Sequence, residues 1–126
     1  MNRKIRLFGS LMMLVGVVLG ALGSHVFKSV LPSAALESFH TGLEYLIYHA
    51  LALLLLSNFE FHSEKRKMRA VYFMVFGVLL FSGSIFLLSF KSLIPINISW
   101  MGPLTPLGGF LLIAGWGLTA FNFLKK

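Results

Sequence analysis

Four apolar runs dominate this chain: residues 7–23, 43–59, 70–89 and 104–124, which are 17, 17, 20 and 21 residues long and together carry one charged side chain, Glu44. Each approaches the ~20 residues that a helix needs to cross ~30 Å of hydrocarbon. A water-soluble fold of 14.0 kDa has too little interior to hide four such segments. Composition agrees, with 57% hydrophobic and 12% charged residues, where a soluble domain carries about 25% charged. In lipid every backbone N–H and C=O must be satisfied within its own segment, so all four runs are expected to be helical. The expected fold is all-α: one transmembrane domain over residues 1–126, an integral membrane four-helix bundle.

The first run follows Arg3, Lys4 and Arg6, and Ala21-x-Gly23 imitates a leader-cleavage site. The run exceeds the ~7–15 apolar residues of a leader core and three more spans follow, so it is read as a span. Of the eleven Lys and Arg, nine fall on one side of the spans: Arg3, Lys4, Arg6, Lys65, Arg66, Lys67, Arg69, Lys125 and Lys126. Only Lys28 and Lys91 fall on the other. The positive-inside rule then places both termini and the 61–69 loop on the cytoplasmic side of a plasma or inner membrane, and the Lys28 and Lys91 loops outside. The net charge of +7 is thereby absorbed as a topology signal and as contact with lipid headgroups, and no nucleic-acid partner is expected.

The outer connections differ in kind. After Pro32, with Ser33 as N-cap, a helical pattern starts at Ala34 and continues toward Phe59, so residues 34–41 are expected as a short interfacial helix before the second span, with Gly42 permitting a bend or a close contact. Residues 91–103 hold Pro95, Asn97, Gly102 and Pro103 and are expected to be non-helical, with Trp100 as an interfacial anchor. Phe27-Lys28-Ser29-Val30-Leu31-Pro32 recurs as Phe90-Lys91-Ser92-Leu93-Ile94-Pro95, 63 residues on. The register matches poorly outside that stretch, so chance explains it better than a half-chain repeat.

Apolar surface alone does not bring helices together in lipid, and close packing through small residues takes its place. Gly9, Gly16 and Gly23 stand seven apart on the first helix with Gly20 beside them, Gly77 and Ser84 stand seven apart on the third with Gly83, and the fourth offers Gly108, Gly109, Gly115 and Gly117. Such seams predict a compact left-handed bundle; a homo-oligomer is their alternative use.

Ionisable groups at membrane depth cost about 2.5–3.5 kcal/mol each on insertion scales, so their placement is the best pointer to function. Glu37, His40, Glu44 and Tyr48 follow one helical stripe, flanked by Thr41 and Tyr45, with His49 a turn deeper and His25 at the outer end of the first helix. One reading is structural: interfacial carboxylates, an aromatic belt, and His49 bonded to a backbone carbonyl or to Thr105. The other is an outward-facing polar cavity lined by His25, Glu44, Tyr48, His49 and Thr105, as in a small transporter or channel-like protein. Glu37-x-x-His40-x-x-x-Glu44 imitates a carboxylate metal motif, yet only four Glu exist and two, Glu60 and Glu64, sit at the opposite end, so no metal is expected. Two histidines near one membrane face do not define a haem site, and no cofactor is expected. With no Asp and no Cys, there is neither a Ser-His-Asp set nor a thiolate, and Gly108-Gly109 lacks the Lys and Ser/Thr of a phosphate loop, so an enzyme is not expected.

Several blocks together resemble a known family: Gly20-Ala21-Leu22-Gly23-Ser24-His25, Tyr45-Leu46-Ile47-Tyr48-His49-Ala50, Phe81-Ser82-Gly83-Ser84, and Leu104-Thr105-Pro106-Leu107-Gly108-Gly109 with Gly115-Trp116. In this order they are similar to the domain of unknown function 423 (UPF0382) family of small four-helix membrane proteins. Ser24 stands where an Ala is usual, and the 65–69 segment is more basic than in that family. The resemblance implies that His25, Thr41, Gly42, Tyr45, His49, Ser82, Ser84, Thr105, Pro106, Gly108 and Gly109 share a site or a packing core. It implies no activity. The expected function is a multi-pass, non-enzymatic membrane protein that acts through lipid, a protein partner or a small ligand, with the transporter as the alternative.

Overall fold

The computed structural model describes residues 1–124; Lys125 and Lys126, the last two cations of the orientation count, lie outside the described residues. Four long helices account for most of the chain: α1 (Asn2–Val30), α2 (Ser33–Leu56), α3 (Glu64–Ser89) and α4 (Leu104–Leu124). All four are long and apolar enough to cross a membrane. α1 starts before the apolar run, so the helix carries its own cations, and it continues past Gly23 through a π turn over Gly23–Phe27 into Lys28–Val30. Lys28 therefore sits on a helix, and the outer connection shrinks to Leu31 and Pro32.

α2 corrects two boundaries. Ser33 is its first helical residue, not its cap: Pro32 holds φ −57° and ψ 152°, and its carbonyl accepts Leu36 N–H at 2.9 Å. Residues 34–41, expected as a separate interfacial helix, are continuous with the second span, with no break at Gly42. The helix stops at Leu56 because Ser57 and Asn58 turn their side chains back onto the Leu54 carbonyl, at 2.7 and 3.2 Å. The 91–103 connection is irregular apart from a 3₁₀ turn over Ser99–Met101, and Trp100 is exposed there. The two Phe-Lys-Ser stretches take different conformations, helical at Lys28–Val30 and a turn after Phe90, yet Phe27 and Phe90 touch edge-on at 4.8 Å.

Helices pack mainly in chain order, α1 on α2, α2 on α3 and α3 on α4. Glycines set two of these contacts. A Cβ at Gly9 would lie 2.9 Å from Leu54 and 3.0 Å from the Ala50 carbonyl, at Gly16 2.9 Å from Ile47, and at Gly23 2.8 Å from Phe39, while Gly20 faces Leu43. The steps of seven along α1 are met by steps of seven and then eight back along α2, close to the 3.5-residue period of left-handed antiparallel packing. On the other side a Cβ at Gly108 would collide with the backbone of Phe81 and Gly77; one at Gly115 would come 2.9 Å from Met74, and one at Gly77 2.8 Å from Leu112. Gly42 abuts Phe86 and Ile85 of α3. Gly83 and Gly117 have open space, and Gly109 has only the Phe81 ring at 3.9 Å. Gly83 and Gly109, expected in the seams, stand off them because adjacent residues are rotated ~100° around a helix.

Candidate functional site

The end of the bundle that holds the 31–32 and 90–103 connections is filled by aromatic rings. Phe39 of α2 is fully buried, with Phe27 at 5.3 Å, Phe86 at 5.2 Å and Phe90 at 6.3 Å between centroids. Leu31 and Leu43 complete this cluster. The rings fill the space between the helices there, and the cavity of about 440 Å³ beside them is lined by Pro32, Ala34, Ala35, Ser38, Ile85, Leu88, Ser89 and Lys91, not by His25, Glu44 or His49.

The polar side chains that face inward are held one by one. His49 is 6% exposed; its Nδ1 lies 2.7 Å from the Tyr45 carbonyl, and its Nε2 accepts Trp116 Nε1–H from α4 at 2.9 Å. An indole N–H only donates, so Nε2 must offer its lone pair and Nδ1 carries the proton given to Tyr45. Both ring nitrogens are occupied. The Tyr45 ring stacks at 14° to the imidazole, 6.1 Å away, and touches Phe81 at 4.4 Å. These groups border a shallow cavity of about 380 Å³ whose other lining is Gly109, Leu112 and Ile113.

Hydroxyls behave alike. Ser84 donates to the Phe81 carbonyl at 3.0 Å, which leaves Thr105 Oγ1 as the donor across α3 and α4 to Ser84 Oγ at 2.6 Å. Ser82 donates to the Gly42 carbonyl at 2.7 Å, joining α3 to α2. Thr105 therefore bonds Ser84 and not His49. These are interhelical glue of the kind worth about 0.6–2 kcal/mol each in membranes.

The rest of the expected constellation points away. Glu37, His40, Thr41, Glu44 and Tyr48 are exposed on α2, and His25 is exposed on the π turn of α1, whereas Tyr45, also partly exposed, stays against His49. Thr41 Oγ1 bonds only its own helix, at the Glu37 carbonyl. Among the described residues no group of three His, Cys, Asp or Glu could hold a metal ion, so His25, Glu44 and His49 do not converge.

A second polar network, at the basic end, was not anticipated. Lys67 is 2% exposed, and its Nζ donates to the Phe59 carbonyl at 2.7 Å, Asn2 Oδ1 at 3.0 Å and the Ser57 carbonyl at 3.3 Å. Its ammonium thus satisfies carbonyls just beyond the C-terminus of α2, where a cation is favoured, and ties in the start of α1. Arg6 reaches Ser57 Oγ at 3.2 Å and Asn58 Oδ1 at 3.0 Å, and Asn122 Oδ1 of α4 accepts His62 N–H at 3.0 Å. Lys67 is therefore no part of a solvated basic run. Its signal was present in spacing: Lys67, Val71, Met74 and Val78 share one stripe, and all four are buried.

Fold and site together define a multi-pass membrane protein, a four-helix bundle closed by glycine contacts and saturated hydrogen bonds. The family model described as "Protein of unknown function (DUF423)" matches residues 19–109. The chain is 36% identical over 115 residues to the UPF0382 membrane protein YwdK of Bacillus subtilis, covering 87% of each protein. It is 34% identical over 110 residues to a UPF0382 membrane protein of Haemophilus influenzae, covering 87% of this chain and 85% of the relative. The UPF0382 inner membrane protein YgdD of Escherichia coli K12 is 31% identical over 122 residues, covering 93% and 86%. No solved structure matches. The chain belongs to the DUF423 family, as the Gly-Ala-Leu-Gly, Tyr-His-Ala and Thr-Pro-Leu-Gly-Gly blocks led one to expect.

Proposed function

We propose that this chain is a non-enzymatic protein of the bacterial inner membrane, with both termini cytoplasmic, that acts through lipid or protein partners. One observation carries the proposal: both imidazole nitrogens of His49, the one histidine buried between helices, are taken up by Tyr45 and Trp116. A titrating relay or a ligand site at that depth needs a free nitrogen facing water or solute. The aromatic plug around Phe39 and the Ser84–Thr105 and Ser82–Gly42 bonds support the same reading, because the hydroxyls that face inward there are already bonded within the bundle. The nine-to-two division of cations supports the orientation, and the inner-membrane name of the Escherichia coli relative supports the location.

Purified protein in liposomes tests this against transport. Neither wild type nor His49→Ala is expected to pass protons or small solutes above the empty-vesicle rate. Flux in wild type that His49→Ala abolishes would establish the transporter. Cysteine labelling from outside intact cells tests the orientation: a cysteine in the 58–63 loop should stay unlabelled and one at Ser92 should label.

A further inference from the structure

The outward face of α2 carries polar groups at a depth where lipid cannot satisfy them. The Ser82–Gly42 hydrogen bond supplies the ruler. α3 crosses the hydrocarbon with its uncharged residues 70–89, and Ser82 lies 12 residues past Ala70, which is ~18 Å at 1.5 Å per residue. Gly42 shares that level. Glu44, two residues further toward the basic end on antiparallel α2, therefore lies ~15 Å in, the middle of a ~30 Å slab. It is exposed, and no described residue offers its carboxyl group a hydrogen bond or an ion pair. His40 and Tyr48 stand one turn to either side of it on the same exposed face.

This face also has a packing period. Glu37, Thr41, Glu44, Tyr48, Leu51 and Leu55 are spaced alternately by four and three residues, the heptad spacing of a left-handed helix seam. Every one of them is exposed, Leu51 by 48%, Leu55 and Tyr48 by 60%. Below Tyr48 the seam borders an apolar groove of about 670 Å³ between Leu51, Leu55 and Phe59 of α2 and Trp116 and Phe123 of α4. Gly9, Gly16, Gly23, Gly42, Gly77, Gly108 and Gly115 are taken up in contacts inside the bundle and do not supply a second interface.

We propose that α2 is the dimer interface of this protein, pairing with α2 of a second, parallel copy about an axis along the membrane normal. The stripe is chemically self-complementary, which is what a two-fold interface requires. At its centre each Glu44 carboxyl group accepts from the partner's His40 one turn above and the partner's Tyr48 one turn below, and Leu51 and Leu55 close the seam beneath. A lipid acyl chain fills the apolar groove but offers Glu44 nothing. The inference names the partner within the function proposed above and rests on the reading that the protein acts through partners.

The chain has no cysteine, so single introduced cysteines report without background. In oxidised native membranes Leu51→Cys and Leu55→Cys should give disulfide-linked dimers at least tenfold more than Leu14→Cys and Leu79→Cys, which are equally exposed on α1 and α3. Adding Glu44→Leu, which only raises hydropathy and so preserves insertion, should lower the Leu55→Cys dimer yield about tenfold. Resonance energy transfer between labelled copies in liposomes at fixed protein-to-lipid ratio should fall with the same variant. Equal crosslinking on all faces, a Leu55→Cys dimer indifferent to Glu44→Leu, or adducts with a different protein in place of a second copy would overturn the proposal. Flux through liposomes would sink the closed-bundle function and leave the dimer standing; a uniform crosslinking pattern would do the reverse.

Discussion

The inward and outward surfaces of this bundle treat the same residue types in opposite ways. His49 faces in and both its ring nitrogens are bonded, whereas His40, nine residues earlier on the same helix, faces out. Gly108 faces in and lies against the backbone of α3, whereas Gly117 on the same helix has nothing within 4 Å. Ser82 faces in and joins two helices, whereas Glu44, at nearly its level, has no hydrogen-bond or ion-pair partner among the described residues. Residue type at membrane depth does not reveal function; its direction does. Inward polar groups hold this fold together, and the outward ones are those assigned, as a proposal, to a second copy.

The sharpest way to break the contrast is to add bulk to glycines of each class. Gly108→Val drives a side chain into immovable backbone and should cost about 3 kcal/mol or more, so that the protein fails to form its bundle, while Gly117→Val stays within about 0.5 kcal/mol. Unfolding in mixed detergent micelles, followed by circular dichroism or steric trapping, measures both. Next in size is Lys67→Met, which strips the Ser57 and Phe59 carbonyls and Asn2 of their shared donor. It should cost about 2–3 kcal/mol, with Lys67→Arg recovering part of it, whereas Lys65→Met on the exposed side of the same run changes nothing measurable. Trp116→Phe removes the donor to His49 and should destabilise by about 1–2 kcal/mol, more than Trp100→Phe in the exposed loop. Smallest is Ser82→Ala, at about 0.6–1 kcal/mol. Glu44→Gln, its outward counterpart, should leave the detergent-solubilised monomer unchanged.

Much of the fold was legible because lipid leaves the backbone few choices. Four apolar runs had to be four helices, and the step-of-seven glycines on α1 had to mark a helix contact. What hydropathy does not encode is which helix meets which. The bond from His49 to its own helix at Tyr45 follows from four-residue spacing; its bond to Trp116 depends on how α4 lies beside α2, about which no spacing within either helix speaks. Gly108 and Gly109 are indistinguishable by composition, and only the orientation of α4 separates the packed one from the idle one. The polar stripe of α2 was recognised at the right spacing, but its direction was not: Glu37 through Tyr48 were expected to share a site with His49, and the ~100° per residue that puts His49 on the buried face puts them on the exposed one. Lys67 was hidden by its neighbours, because a run of cations reads as a solvated loop unless its helical phase is followed inward to Val71 and Met74.

Trp116 Nε1–H is the single proton on which the closed interior turns. Its hydrogen–deuterium exchange, followed by nuclear magnetic resonance of the protein in lipid nanodiscs, should be slow, hours or longer, and should accelerate in His49→Ala. Exchange of that proton in wild type as fast as in the exposed Trp100 would contradict it, because water would then reach the His49–Trp116 bond between α2 and α4, where Trp116 is itself 45% exposed on the face that lipid covers.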